Sequence, residues 1–162
     1  MAQLVFAAGV PHAPGLIGLL DAAPEHTQDL VHGMFAKVRA ALLEAAPDVL
    51  IVVGNDHLAN SRTRAYPDFL IGMAPEHAGP YAWYKEWLGC RNYTVKGDMH
   101  TAEALFHGLN KRGLRMHAQR DNLRFDDQLS IPALHLKLDE SGIRVIPVLQ
   151  NCTVPPLPDT RQ

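Results

Sequence analysis

Nine histidines are spread through this chain of 162 residues, and two of them stand where chemistry is easily built. His12 lies between Pro11 and Pro14, directly after the apolar run Leu4-Val5-Phe6-Ala7-Ala8. His57 closes Asn55-Asp56-His57, directly after a second apolar run, Val49-Leu50-Ile51-Val52-Val53. Two imidazoles at the carboxyl ends of neighbouring strands can face one cavity. Two histidines and one carboxylate, with positions left open, form the ligand set of mononuclear non-haem Fe(II) oxygenases, where substrate and O2 must both reach the metal. Spacing alone leaves two readings open: a shared metal site, or two loop histidines with no common role.

The other chemically capable residues have weaker local signals. Asp126-Asp127 precedes Gln128-Leu129-Ser130. Adjacent carboxylates are common at a helix N-terminus, where the helix dipole favours them. The same pair also suits a general acid/base, or a group that orients a metal-bound histidine. Cys90 and Cys152 have no local partner and read as buried structural thiols. His26 and His32 fall on the polar side of a helix, and His77 and His100 on the surface. His107 reads as partly buried, while His117 and His135 remain candidates for the same cavity as Asp127. The aromatics Tyr81, Trp83, Tyr84, Trp87 and Tyr93 could stack a planar ring, form an interface or close a flap. Glycine-rich phosphate loops and a G-x-S-x-G nucleophile turn are absent from the sequence.

The elements that must position these residues follow from periodicity and breakers. Leu4–Ala8 reads as a buried strand that stops at the Pro- and Gly-rich loop carrying His12. A helix over 24–46 follows, with Leu30, Met34, Val38 and Leu42 as its core-facing stripe. Val49–Val53 reads as a strand buried on both faces. Strand, helix and strand make a βαβ unit, which places both histidine loops at the carboxyl edge of a parallel sheet, where such folds bind ligands. Further strands are predicted at Phe69–Met73, at Leu114–Ala118 and at Ile143–Val148. An irregular insertion is predicted over 74–97, a helix over Met99–Arg112, and a short helix or turn over Ser130–Leu138 around Pro132. The fold class is α/β, with a mainly parallel central sheet flanked by helices, in a single domain over 1–162.

Composition narrows the partners. With 47% apolar and 20% charged residues and a net charge of −2, the chain offers no basic field for nucleic acid or an anionic membrane. No apolar run reaches the length needed to span a bilayer. No basic stretch precedes the first apolar run, so a secretory signal is not expected and a cytoplasmic location is.

Taken in order, the motifs resemble the class III extradiol dioxygenases, the family of the protocatechuate 4,5-dioxygenase β subunit. They are Gly9-Val10-Pro11-His12-Ala13-Pro14, Pro47-Asp48 through Gly54-Asn55-Asp56-His57, Phe125-Asp126-Asp127 with Ile131-Pro132, and Val145-Ile146-Pro147-Val148 with Asn151 leading to Pro155-Pro156. The resemblance implies that His12 and His57 bind Fe(II). It also implies that a catechol-type ring is opened next to its two hydroxyls, with both atoms of O2 inserted. Two departures stand out. The family's acid/base histidine follows an aspartate, and Asp127 stands in its place here. The family's third ligand is a glutamate ahead of a G-x-G-G-[LM]-S-H segment, and no residue of this chain matches it.

These departures set the remaining expectations. Asp127 is the candidate catalytic residue, weaker than a histidine as a proton shuttle because its ordinary pKa is about 3.9 rather than about 6.5. Two imidazoles without a matched carboxylate are expected to bind Fe(II) weakly. The chain reads as the N-terminal portion of the fold, assembling as a homo- or hetero-oligomer. The competing functions are a non-catalytic binding or structural subunit of the same fold, paired with another chain, and a metal-dependent hydrolase using the same two histidines.

Overall fold

In a computed structural model, which describes residues 2–60 and 66–159, the chain begins with α1 (Gly15–Gly18), a 3-10 turn (Leu20–Ala22) and α2 (Glu25–Ala45). Then come β1 (Val49–Asp56), β2 (Phe69–Gly72), β3 (Glu76–Gly79), α3 (Ala82–Leu88), β4 (Tyr93–Lys96) and α4 (Met99–Lys111). The rest is β5 (Met116–Gln119), α5 (Asp127–His135), α6 (Leu138–Ser141) and β6 (Arg144–Asn151). Local chemistry sets the boundaries. Pro24 precedes α2, where a missing N–H is no loss. Ala46 ends that helix in the left-handed region at φ 43°, and Pro47 cannot continue it. Asp98 caps α4 by accepting the Thr101 N–H at 3.0 Å, and Asp126 caps α5 by accepting the Gln128 N–H at 3.2 Å.

The main sheet has the order β1-β6-β2-β5. β1 and β6 are parallel, as are β2 and β5, while β6 and β2 run antiparallel. Side chains alternate across it. Leu70, Val145 and Leu149 join Phe35 and Leu42 of α2 and Leu129 and Ile131 of α5 in one core. Phe69, Ile71, Ile146 and Val148 meet Ala102 of α4 in the other. The sheet is thus mainly parallel and covered by helices on both faces. Among the described residues no helix is long and apolar enough to cross a membrane.

Several expectations are corrected. Leu4–Ala8 forms no strand; its backbone joins no ladder, Leu4 and Val5 are exposed, and only Phe6 of the run packs on the core. Apolar composition alone does not make a strand without a ladder partner, so the expected βαβ unit is not closed, and β1 takes β6 as its parallel neighbour. As an edge strand β1 is not buried on both faces: Val53 is 64% exposed. On α2, Leu42 is buried but Leu30 and Met34 are 64% and 52% exposed, and Phe35 is buried instead. Strict four-residue steps drift about 40° each around a helix of 3.6 residues per turn, so Leu30 ends roughly 120° from Leu42. The segment 74–97 is ordered. β3 and β4 pair antiparallel and hold α3 between them, with Tyr84 buried while Trp83 and Trp87 stack in the open with ring centroids 5.3 Å apart.

Three histidine and cysteine placements also differ. His77 is 0% exposed, on the inner side of β3 and edge-on to Phe125. Gly97 makes room for it, since a Cβ there would lie 3.2 Å from His77 Nε2. His107 is exposed because it lies beyond the buried face of α4, and Cys152 is exposed in the loop after β6. Cys90 is buried.

Candidate metal centre

Three separate segments meet at one point. His12 arrives on the loop before α1, held by Pro11 and Pro14. His57 lies immediately past the end of β1. Asp127 opens α5. The start of α5 approaches β1 closely because residue 54 is glycine: a Cβ there would lie 3.0 Å from Gln128 Cβ. One donor atom from each of His12, His57 and Asp127 lies within 4.8 Å of the others, and the two imidazole centroids are 5.5 Å apart.

The carboxylates organise the rings. His57 Nδ1 is 3.2 Å from Asp126 Oδ2 and 3.0 Å from Asp127 Oδ1. The other Asp127 oxygen is 3.6 Å from His12 Nδ1. That nitrogen is buried and has no hydrogen-bond partner. Both aspartates are buried, whereas the imidazoles are partly open to solvent. Burial pushes the Asp126 carboxyl up to about 6, and the neighbouring Asp127 carboxylate adds to the rise, while the Gln128 N–H and His57 oppose it.

Beneath the site lies a supporting network. Asp56, also buried, accepts from Asn60 Nδ2 at 2.9 Å and from the Tyr66 hydroxyl. Asn60 in turn accepts the Arg124 N–H at 2.7 Å and donates to the Arg124 carbonyl at 3.0 Å. This clamp ties the end of β1 to the chain entering α5. The carboxylate of Asp56 is committed to it, so Asp56 does not stand with the two histidines.

The remaining candidates lie elsewhere. His135 Nε2–H donates to the Leu16 carbonyl at 2.8 Å, and the ring stacks on Phe35; the site histidines are not its neighbours. His117 is exposed on β5. Sequence reasoning passed over Asn60, Tyr66 and Gln128. Nothing in their local pattern separates them from ordinary loop and helix residues, because their partners are distant in sequence.

A buried, unpartnered imidazole nitrogen beside a second imidazole and a carboxylate is a donor set suited to a divalent metal. His12, His57 and Asp127 form a group able to hold such an ion. The family model of LigB, the catalytic subunit of aromatic ring-opening dioxygenase, matches residues 6–162. This chain belongs to the LigB family. No curated protein matched it. In this LigB-family chain one histidine of the group lies past the end of β1 and the other on the loop before α1. The carboxylate pair comes from the N-terminus of α5.

Proposed function

We propose that this chain opens a catechol-type ring on the extradiol side with O2, in the cytoplasm, using Fe(II) held by His12, His57 and Asp127. The observation that supports the reading is the meeting of these three side chains at one point in a chain of a ring-opening family. Two neutral nitrogens and one carboxylate are the donor set of non-haem Fe(II) sites and leave positions open for the two substrates. Bound Fe(II) supplies Lewis acidity toward the ring hydroxyls and holds the reactants in proximity.

The protein's own groups do the rest. Asp126 receives the His57 Nδ1–H, which fixes the ring and leaves Nε2 for the cation. Asp127 presents two oxygens. One serves as the anionic donor, and the other accepts the proton of a ring hydroxyl, so Asp127 is the catalytic base.

The test is anaerobic Fe(II) titration followed by oxygen uptake with catechol, for the natural chain and for His12→Ala, His57→Ala and Asp127→Asn. One iron per chain, and one O2 consumed per ring opened, are expected for the natural chain. Each variant should lose at least about tenfold in iron affinity. Iron binding that survives both histidine substitutions would sink the site. An iron-loaded chain that consumes no O2 with any catechol would leave the non-catalytic subunit reading.

A further inference from the structure

Gln128 is not used by the donor set above. It follows Asp127 in the first turn of α5, is 3% exposed, and neither the oxygen nor the nitrogen of its carboxamide has a hydrogen-bond partner. Buried amides left unpaired are costly, and nearly all of those in folded proteins meet a partner. Gln128 borders a cavity of about 200 Å³ between the segment 6–12, β1, α2 and α5. His12 borders the same cavity. The other lining side chains are apolar, with Phe6, Val10, Leu42 and Val52 among them, and no Lys, Arg, Asp or Glu among the described residues lines it.

Size, polarity and charge together specify a ligand. An apolar cavity of roughly 150 Å³ is enough to hold benzene, so this one suits a single ring with its substituents. Among uncharged side chains the Gln128 carboxamide offers both donor and acceptor atoms, matching a hydroxyl. A carboxylate away from His12 would meet no Lys or Arg side chain in the wall and would lose its hydration uncompensated. The terminal torsion of glutamine is broad, so the carboxamide turns toward the cavity at little cost.

We propose that this cavity seats the substrate ring, that the ring is an uncharged single-ring catechol, and that Gln128 is the positioning residue for one of its hydroxyls. The identification of the ring as a catechol rests on the extradiol reading, while the size and charge preference rest on the cavity alone. His12 is the one member of the donor set in the wall, so a ring seated there lies beside that histidine.

The experiment is anaerobic equilibrium dialysis of catechol and of protocatechuate, its carboxylated analogue. It uses the natural chain, Gln128→Met and Gln128→Glu, each with and without Fe(II), with iron affinity and thermal midpoint measured in parallel. The natural chain should bind catechol at least about tenfold more tightly than protocatechuate. Gln128→Met should lose about tenfold in catechol affinity, the scale of one hydrogen bond. Its iron affinity should be unchanged and its thermal midpoint no lower, because methionine fills the same space without an unpaired amide. The proposal is overturned if protocatechuate binds as tightly as catechol, if Gln128→Met binds catechol like the natural chain, or if the natural chain binds no catechol. The natural chain's preference needs no variant to fold. Catechol binding that depends on Gln128, with iron binding that ignores His12 and His57, supports the cavity and removes the extradiol reading. The reverse pattern removes the cavity and keeps that reading.

Discussion

Asp126 and Asp127 do different work although they are neighbours. Asp127 reaches toward both imidazoles, whereas Asp126 holds only His57 and caps α5. Asp126→Asn keeps an acceptor for the Gln128 N–H but weakens the hold on His57. It is expected to lower iron affinity about tenfold, and Asp127→Asn to lower it further, both read by anaerobic calorimetry. His77 carries a separate prediction about stability. Burial depresses its pKa from 6.5 to about 4, and both of its ring nitrogens lack partners. Between those two values the unfolded chain takes up a proton that the folded chain refuses. The stability at stake is complete above about pH 6.5, falls as the pH drops toward 4, and levels off below. The loss is of order 3 kcal/mol across that window. Denaturant unfolding at pH 7 and pH 4.5 should show this fall, and His77→Leu should flatten it; an unchanged slope in the variant would place the proton uptake elsewhere.

At the scale of elements, α2 shows how a correct helix can carry a misplaced face. The boundaries 24–46 were legible because Pro24 and Pro47 bracket an apolar periodic segment, and the helix runs Glu25–Ala45. Which side faces the core was not, because Leu30 and Met34 continue the apolar pattern out to an exposed flank. Leu42→Ala is expected to cost about 2–5 kcal/mol, and Leu30→Ala less than about 0.5 kcal/mol, in paired urea melts. Similar losses at both positions would restore the four-residue stripe. The segment 74–97 was read as irregular because its glycines and prolines hid two strands of four residues each. Strands that short gain their order from each other and from the core beneath, not from local propensity.

For the whole molecule, the candidate ligands come from residues 12, 57 and 127, in three segments that only the folded chain assembles. Metal binding at this group would therefore be linked to folding. Fe(II) at about one hundred times its dissociation constant should stabilise the protein by about 2.7 kcal/mol. The expected result is an anaerobic thermal midpoint that rises with Fe(II), returns with a chelator, and does not move in His12→Ala. An equal rise in that variant would mean the ion binds elsewhere. The sequence by itself determined the α/β class, the helices α2 and α4, and the strands β1, β2 and β6, and it singled out His12 and His57 as candidates. These rest on local pattern: apolar periodicity, prolines at element ends, and polar loops behind apolar runs. Only the tertiary structure decided that Leu4–Ala8 stays outside the sheet and that His77 is buried. It alone brought Asp127 to the two histidines and left Gln128 unpaired beside a ring-sized cavity. Each of these depends on which distant segment fills the space next to a residue, and no local pattern encodes that.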